Sequence, residues 1–182
     1  MKVFLGCSQN IRPGWLNVDL YPRSETVIKD DARTLATFRD GSITELESLH
    51  LIEHISHRDV PKMLRHWRRA MAPGGKLSVE CPDILAIARE YVAWHEAGWT
   101  WTDSAANRFV KKPASALSHR SWHTLFGGTH EHPGQMNGSW WDAPRLVMEL
   151  KEAKFVSVRA EAPVHSNPQW GPSIRVVAEA PK

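Results

Sequence analysis

Glycine and acidic residues follow the first three short apolar runs of the chain. These positions are Gly6, Asp19, Asp30 and Asp31. If the runs are parallel strands, their carboxyl ends share one edge of a sheet, and ligands of open α/β sheets bind beyond that edge. Glycine lets the backbone approach a ligand closely, and a carboxylate accepts strong hydrogen bonds. The spacing therefore predicts a small-molecule site built from strand ends.

A second group with chemical potential is the run from His50 to His54, which matches the pattern H-x-x-E-H. On a helix this pattern places two histidines on one face as zinc ligands, with the glutamate as a base, as in inverzincin peptidases. Here the run lies at a predicted strand-to-helix junction, and no specific third ligand follows it. We therefore favour a structural interpretation, in which Glu53 and His54 hydrogen-bond the loop.

Tryptophan and histidine are concentrated in the middle of the chain, which has nine tryptophans and only two tyrosines. Eleven of these aromatic residues lie between positions 94 and 141: Trp94, Trp99, Trp101, Trp122, Trp140, Trp141, His95, His119, His123, His130 and His132. Two interpretations stay open. The segment is an irregular second core layer, or it forms an aromatic pocket for a flat or sugar-like ligand.

The elements that must position these residues alternate along residues 1–93. Short apolar runs at Val3–Leu5 and Trp15–Leu20 predict buried strands, and a weaker strand is predicted at Val27–Ile28. A fourth strand is predicted at Leu46–Ile52, although its residues also fit a helix.

From Asp59 the apolar period changes to that of a helix, with Asp59 as a candidate N-cap. One face carries Val60, Met63, Leu64, Trp67, Ala70 and Met71. The turn Pro73-Gly74-Gly75 is predicted to end this helix. A strand at Leu77–Cys81 and a helix at Ile84–Trp94 follow.

The last forty residues predict a helix and two strands. Leu146, Val147 and Leu150 share one face of a helix over Ala143–Ala153. Alternating β-type residues at Phe155–Ala160 and Ile174–Ala178 flank a proline-rich link, which favours an antiparallel hairpin at the edge of a parallel sheet.

The motifs occur in the order Leu5-Gly6-Cys7, Pro13-Gly14-Trp15-Leu16-Asn17-Val18-Asp19, Asp31-Ala32-Arg33-x-Leu35, Glu53-His54 and Pro73-Gly74-Gly75-Lys76-Leu77. This order resembles class I S-adenosylmethionine-dependent methyltransferases, most closely the small bacterial type with a shortened first helix. The resemblance is strong over residues 2–94 and weaker beyond. It implies an α/β, Rossmann-like fold: a mostly parallel sheet with an antiparallel edge strand and helices on both faces.

A length of 182 residues is enough for one domain with a sizeable core, so we predict a single domain over residues 1–182. Residues 1–94 would form the cofactor-binding half, and residues 95–142 the Trp/His-rich insertion on the acceptor side. Residues 143–182 would form the closing helix and strands.

By this resemblance the residues that bind S-adenosylmethionine, or the product S-adenosylhomocysteine, are Gly6, Cys7, Ser8, Asp19, Leu20, Asp31, Ala32, Arg33 and His50. Asp19 would bind the ribose diol, Asp31 the adenine amino group, and His50 would lie near the methionine end. A structural role for Asp19, and a solvated turn at Asp30-Asp31, remain the alternatives. Ser8 departs from the family pattern because glycine is expected there, and a positive φ at serine would strain the loop.

The implied function is methyl transfer to a small-molecule or saccharide acceptor, at oxygen or nitrogen. A general base near neutral pH would assist it, and the candidates, in order, are His54, His123 and His130. Some related O-methyltransferases carry Glu-x-x-Glu-His where this chain has His50 to His54 and bind a divalent cation, but we predict no metal site here. Two alternatives stay open: a catalytically degenerate binding or accessory protein, and, less favoured, a nucleic-acid methyltransferase.

Composition limits these functions further. The formal charge is +3 and the pI about 9.0, which permits nucleic acid as a partner without requiring it. The basic residues of the helix after Asp59 fit a solvated face, since no aromatic residues are interleaved for stacking. No apolar run approaches the length of a membrane span. Two cysteines build no disulfide framework, and we expect a cytoplasmic protein.

Overall fold

The computed structural model describes residues 1–96, 137–164 and 172–182. In chain order its elements are β1 (Lys2–Leu5), β2 (Leu16–Asp19), β3 (Ile28–Lys29), β4 (Ile43–Leu49), a 3₁₀ turn (Ile52–His54), α1 (Val60–Ala70), β5 (Met71–Pro82), α2 (Ile84–Glu96), α3 (Ala143–Glu152), β6 (Val156–Glu161) and β7 (Ser173–Glu179).

The strands form one seven-stranded sheet in the order β3-β2-β1-β4-β5-β7-β6. All pairings among β1 to β5 are parallel, whereas β7 runs antiparallel to both β5 and β6. The expected mostly parallel sheet with an antiparallel hairpin at one edge is confirmed, with the reversed strand second from that edge. The strand order turns back at β1, so the carboxyl ends of β1, β2 and β4 surround the switch point at which such sheets bind ligands.

Alternation along the strands divides the core between the two faces of the sheet. Val3 and Leu5 belong to the larger apolar cluster, which also contains the buried faces of α1 and α3. Phe4 lies between them in sequence and points to a smaller cluster with Val27 and Leu49 on the other face. Helices α1 and α3 contact each other and therefore cover the same face.

The largest boundary differences from the sequence-based prediction lie at the end of β4 and the start of β5. Met71, predicted on the helix face, is the first residue of β5. The fourth strand ends at Leu49, and a single 3₁₀ turn follows where the prediction continued the strand to Ile52. The Pro73-Gly74-Gly75 run lies inside β5 instead of ending a helix, and Gly74 has a φ of +72° there. The amide of Gly74 donates to the carbonyl of Ala180, and Gly75 accepts from the amide of Ala180, so the run stays paired while the register with β4 shifts across it.

The connection between β1 and β2 carries no helix in residues 6–15, so the shortened first helix of the resemblance is here reduced to turns. None of the helices in the described ranges combines the length and apolar character needed to cross a bilayer.

Candidate functional site

The loop after β1 begins at Gly6, which has a φ of +68°. A side chain there would be strained in this conformation, and its Cβ would lie 3.1 Å from side-chain atoms of Leu51. The amides of Gly6 and Cys7 both donate to the carbonyl of Val18, at 2.9 and 3.3 Å, and tie the loop to β2. Glycine at this position therefore avoids both backbone strain and a close contact with Leu51.

The Cys7 side chain is buried in the smaller core cluster with Phe4 and Val27. Burial, followed by the negative charge of Asp19, raises the pKa of the Cys7 thiol to about 11. At this site the residue presents its backbone rather than its side chain.

Asp19 ends β2 and is held by the two loops beside it. Its Oδ2 accepts from the amide of Ser8 at 2.8 Å, and its Oδ1 accepts from the amide of Tyr21 at 2.8 Å. Ser8 makes its contact with a φ of +47°, so the condition under which serine strains this loop is met. A carboxylate offers about four lone-pair sites, so two remain for a ligand.

Beyond Asp19 the surface is apolar. Leu20 is 36% exposed and Tyr21 is 64% exposed. A ligand bound through the Asp19 carboxylate would have these side chains within reach, which suits a molecule that combines hydroxyl groups with a flat ring.

The two aspartates after β3 have different environments. Asp30 is buried, and its carboxylate accepts from the amides of Asp31 and Thr37. Asp31 is partly exposed and forms a forked ion pair with Arg33, with nitrogen–oxygen distances of 2.6 to 3.0 Å. The hydrogen bond from Arg33 lowers the pKa of Asp31. The solvated-turn alternative is thus wrong for Asp30, which organises the loop, and stays open for Asp31.

Ala32 lies between the two members of that pair. Its carbonyl accepts from the indole Nε1 of Trp67 at 2.7 Å. Because Trp67 is fully buried in α1, this bond fixes the loop after β3 to the main core.

His50 follows β4 and connects three elements. Its Nδ1 lies 3.3 Å from Oε1 of Glu53, its Nε2 lies 3.3 Å from Oγ of Ser173, and its amide donates to the carbonyl of Glu80. The backbone φ of His50 is +48°. The histidine therefore joins the end of β4 to β5, β7 and the 3₁₀ turn.

Glu53 is 4% exposed and lines a small pocket at the carboxyl ends of β4 and β5. The other lining residues are Pro82, Ile84, Ile87, Asn137, Ser139, Trp140 and Trp141. Within the described ranges, Oε2 of Glu53 is buried and has no hydrogen-bond partner. Its negative charge adds to the effect of burial, which raises the pKa of the nearby Cys81 thiol well above its ordinary value.

The walls of this pocket come from sequence-distant segments. The amides of Gly138 and Ser139 donate to the carbonyl of Glu53 at 2.7 and 3.0 Å. A Cβ on Gly138 would lie 2.9 Å from the amide nitrogen of Ser56, so glycine lets the two backbones approach. Trp141 is buried and donates to Oγ of Ser139, whereas Trp140 is 48% exposed at the pocket.

The H-x-x-E-H run does not form the helical zinc motif, since only one 3₁₀ turn lies between β4 and α1. His54 has a buried Nδ1 with no hydrogen-bond partner among the described residues, but it does not line the pocket. His123 and His130 lie outside the described residues. In the described ranges no group of three or more His, Cys, Asp or Glu side chains could hold a metal ion.

The structure brings Ser8 into direct contact with Asp19 and joins Gly6 to the same strand through Val18. Asp31, Ala32 and Arg33 lie together at the next strand end. Glu53 was assigned only a loop-stabilising role from sequence. The only sequence feature that indicated part of its pocket was the unusual Trp140-Trp141 pair.

Scanning the protein-family models finds no match for the chain, and the curated proteins contain none either. Solved structures do match. An S-adenosylmethionine-dependent methyltransferase from Thermotoga maritima, described as a possible histamine N-methyltransferase, has a TM-score of 0.61 at 14% identity, over 98% of this chain and 81% of that one. Another such methyltransferase, from Archaeoglobus fulgidus, has a TM-score of 0.59 at 14% identity, over 97% and 84%.

A third similar structure, described as a possible exported protein of Bordetella parapertussis, has a TM-score of 0.55 at 17% identity. It covers all of this chain, which spans 62% of the length of that protein. With the observed strand order, these similarities show that the chain has the Rossmann-like fold of class I methyltransferases.

Proposed function

We propose that this protein transfers a methyl group from S-adenosylmethionine to a small-molecule acceptor. The observation that carries the proposal is the Asp19 carboxylate at the end of β2, beside the switch point of the sheet. Two backbone amides orient it at 2.8 Å each, and two of its lone-pair sites remain for a ribose diol. The residues present therefore fit the cofactor.

When bound, S-adenosylmethionine supplies an electrophilic methyl group on its sulfonium. The chain contributes binding and orientation: Asp19 and Leu20 for the ribose, and Asp31, Ala32 and Arg33 for the adenine. Gly6, Cys7 and Ser8 would line the cofactor with their backbone, and His50 would lie toward its methionine end. Positioning the acceptor close to the methyl group can lower the barrier by roughly 7–11 kcal/mol.

The acceptor side belongs to residues 95–142 in this proposal, within one domain over residues 1–182. The acceptor is a small molecule or saccharide, methylated at oxygen or nitrogen, and His54, His123 and His130 remain candidates for a base. We place the protein in the cytoplasm because Cys7 and Cys81 are both unpaired thiols.

Calorimetric titration with S-adenosylhomocysteine tests the proposal. Wild type should bind with a dissociation constant in the micromolar range, near −8 kcal/mol. Asp19→Ala should weaken binding about 10- to 150-fold, since a hydrogen bond to a charged group contributes roughly 1.5–3 kcal/mol. Asp40→Ala, at a carboxylate that is 73% exposed and paired with Arg69, is the matched control and should bind as wild type does.

A degenerate cofactor site is the second candidate, and the observation that favours it is the positive φ of Ser8. If wild type shows no binding at millimolar ligand and Ser8→Gly restores it, the fold serves as a binding or accessory module. Binding by none of the variants would contradict the cofactor assignment altogether.

One cation of α1, Arg69, is already used within the fold, which weakens the case for a nucleic-acid acceptor. The Arg69 guanidinium is engaged by Asp40 and by the carbonyls of Thr34, Leu35 and Phe38, so it stabilises the fold rather than presenting a cation to phosphate.

A further inference from the structure

The Glu53 carboxylate enters its pocket with one oxygen already engaged. Oε1 lies 3.3 Å from Nδ1 of His50, while Oε2 is buried and has no hydrogen-bond partner in the described part of the chain. Leaving a buried acceptor unsatisfied is costly, and more so for a charged group. A ligand that donates to Oε2 would remove this cost.

The other walls of the pocket narrow the chemistry of that ligand. Ile84, Ile87 and Pro82 are apolar, and Trp140 offers a partly exposed indole. Asn137 and Ser139 are polar but uncharged, so Glu53 is the one charged residue of the described lining. An anionic group would be repelled by the carboxylate. A cation is attracted both by the carboxylate and by the face of a tryptophan ring, whereas a neutral hydroxyl is attracted mainly by the hydrogen bond.

We infer that this pocket binds the amine of the methyl acceptor, with Glu53 receiving the ammonium and Trp140 covering it. The inference rests on the proposed function and narrows it to a nitrogen acceptor. It also moves the role of base from His54 to the residue before it in sequence, because Glu53 lines the pocket and His54 does not.

The chemistry balances without a further reactant. A primary ammonium gives one proton to Oε2 of Glu53, and the freed lone pair on nitrogen forms the new bond to the methyl carbon. The carbon–sulfur bond breaks, and its electron pair stays on sulfur as the neutral thioether. The products are a secondary ammonium, S-adenosylhomocysteine and protonated Glu53, which returns its proton to solvent.

Binding of n-butylamine and 1-butanol, which differ at the polar group, tests the assignment without turnover. Ligand-observed NMR titrations are run with and without saturating S-adenosylhomocysteine. Wild type should bind the amine at least about tenfold more tightly than the alcohol, the scale of one charge-assisted hydrogen bond. Glu53→Gln should abolish that preference while leaving S-adenosylhomocysteine affinity within about threefold.

Two further variants keep the test decisive. Glu149→Gln removes a carboxylate from α3 outside the pocket lining and should behave as wild type does. Trp140→Ala alters an exposed side chain and should weaken amine binding even if Glu53→Gln fails to fold.

Equal affinity for amine and alcohol in wild type, or a preference that survives Glu53→Gln, would overturn the inference. An equal loss of S-adenosylhomocysteine affinity in Glu53→Gln would also overturn it, by placing the carboxylate in the cofactor site. If wild type does not bind S-adenosylhomocysteine, the proposed function is refuted instead. The amine titration without S-adenosylhomocysteine still tests the Glu53 pocket on its own.

Discussion

Asp19 is oriented by backbone amides rather than by side chains, which makes its position independent of rotamer choices nearby. The contact from Ser8 requires that residue to adopt a positive φ, which costs an L-residue roughly 1–2 kcal/mol. The chain therefore keeps a strained residue where its amide supports the carboxylate, a pattern that fits strain stored at a binding site.

The two cysteines should be inert in the folded protein. Burial favours the neutral thiol and raises both pKa values, that of Cys7 to about 11 from an ordinary 9.0. At pH 9, half of an unfolded thiol is ionised but only about 1% of native Cys7. We expect slow alkylation by iodoacetamide at pH 9 until urea is added, as followed by intact mass.

The same shifts have a consequence for stability. The native state holds these protons more tightly than the unfolded state, so the free energy of unfolding should fall as pH rises from about 9 toward 11. Rapid labelling of Cys7 in native protein, or rising stability across this range, would contradict the buried placement.

Gly6, Asp19 and Asp31 could be predicted from sequence as candidate site residues, because each follows a strand and the ends of parallel strands share one edge of the sheet. The pocket at Glu53 was not predictable in the same way. Its walls come from residues 137–141, which reach Glu53 through hydrogen bonds across more than eighty positions, and nothing local to Glu53 encodes that contact.

Among the elements, the starts of α1 and α3 differ in a way that can be measured. Asp142 accepts from the amide of Arg145 at 2.8 Å and caps α3. Asp59 occupies the corresponding position before α1, but its side chain makes no capping bond. Both carboxylates lie at a helix N-terminus, so they share any interaction with the helix dipole.

Asp142→Ala should therefore lower the free energy of unfolding by about 1 kcal/mol more than Asp59→Ala does. Urea titrations of the two variants and wild type measure the difference. Equal losses would show that only the charge near the helix N-terminus matters. The hydrogen bond from Arg145 to Asp142 would then not stabilise the start of α3.

Most elements were predictable from periodicity, because α1 and α3 each bury one face and the strands alternate or run apolar. The exceptions have tertiary causes. Pro73-Gly74-Gly75 predicts a turn, and Gly74 does take a positive φ, yet the hydrogen bonds with Ala180 keep the run within β5. The predicted strand through Ile52 stops at Leu49 because His50 takes a positive φ and starts a different path.

In the whole molecule, the parallel direction of β1 to β5 places both candidate sites at one edge of the sheet. Asp19 and Asp31 belong to the ends of β2 and β3, whereas His50 and Glu53 follow β4. A cofactor at the first group and an acceptor amine at the second would meet near the switch point beside β1, as a transfer between two bound molecules requires.

The most direct test of that arrangement is amide chemical-shift mapping by NMR, which suits a 20.6 kDa chain. On addition of S-adenosylhomocysteine, the largest shifts should fall on the amides of Ser8 and Tyr21, which donate to Asp19, and on residues 31–33. The amide of Gly41, which donates to the carbonyl of Arg69 before β4 begins at the opposite edge of the sheet, should stay unchanged. Shifts that bypass Ser8 and Tyr21, or an unaltered spectrum at millimolar ligand, would contradict a cofactor site at the end of β2.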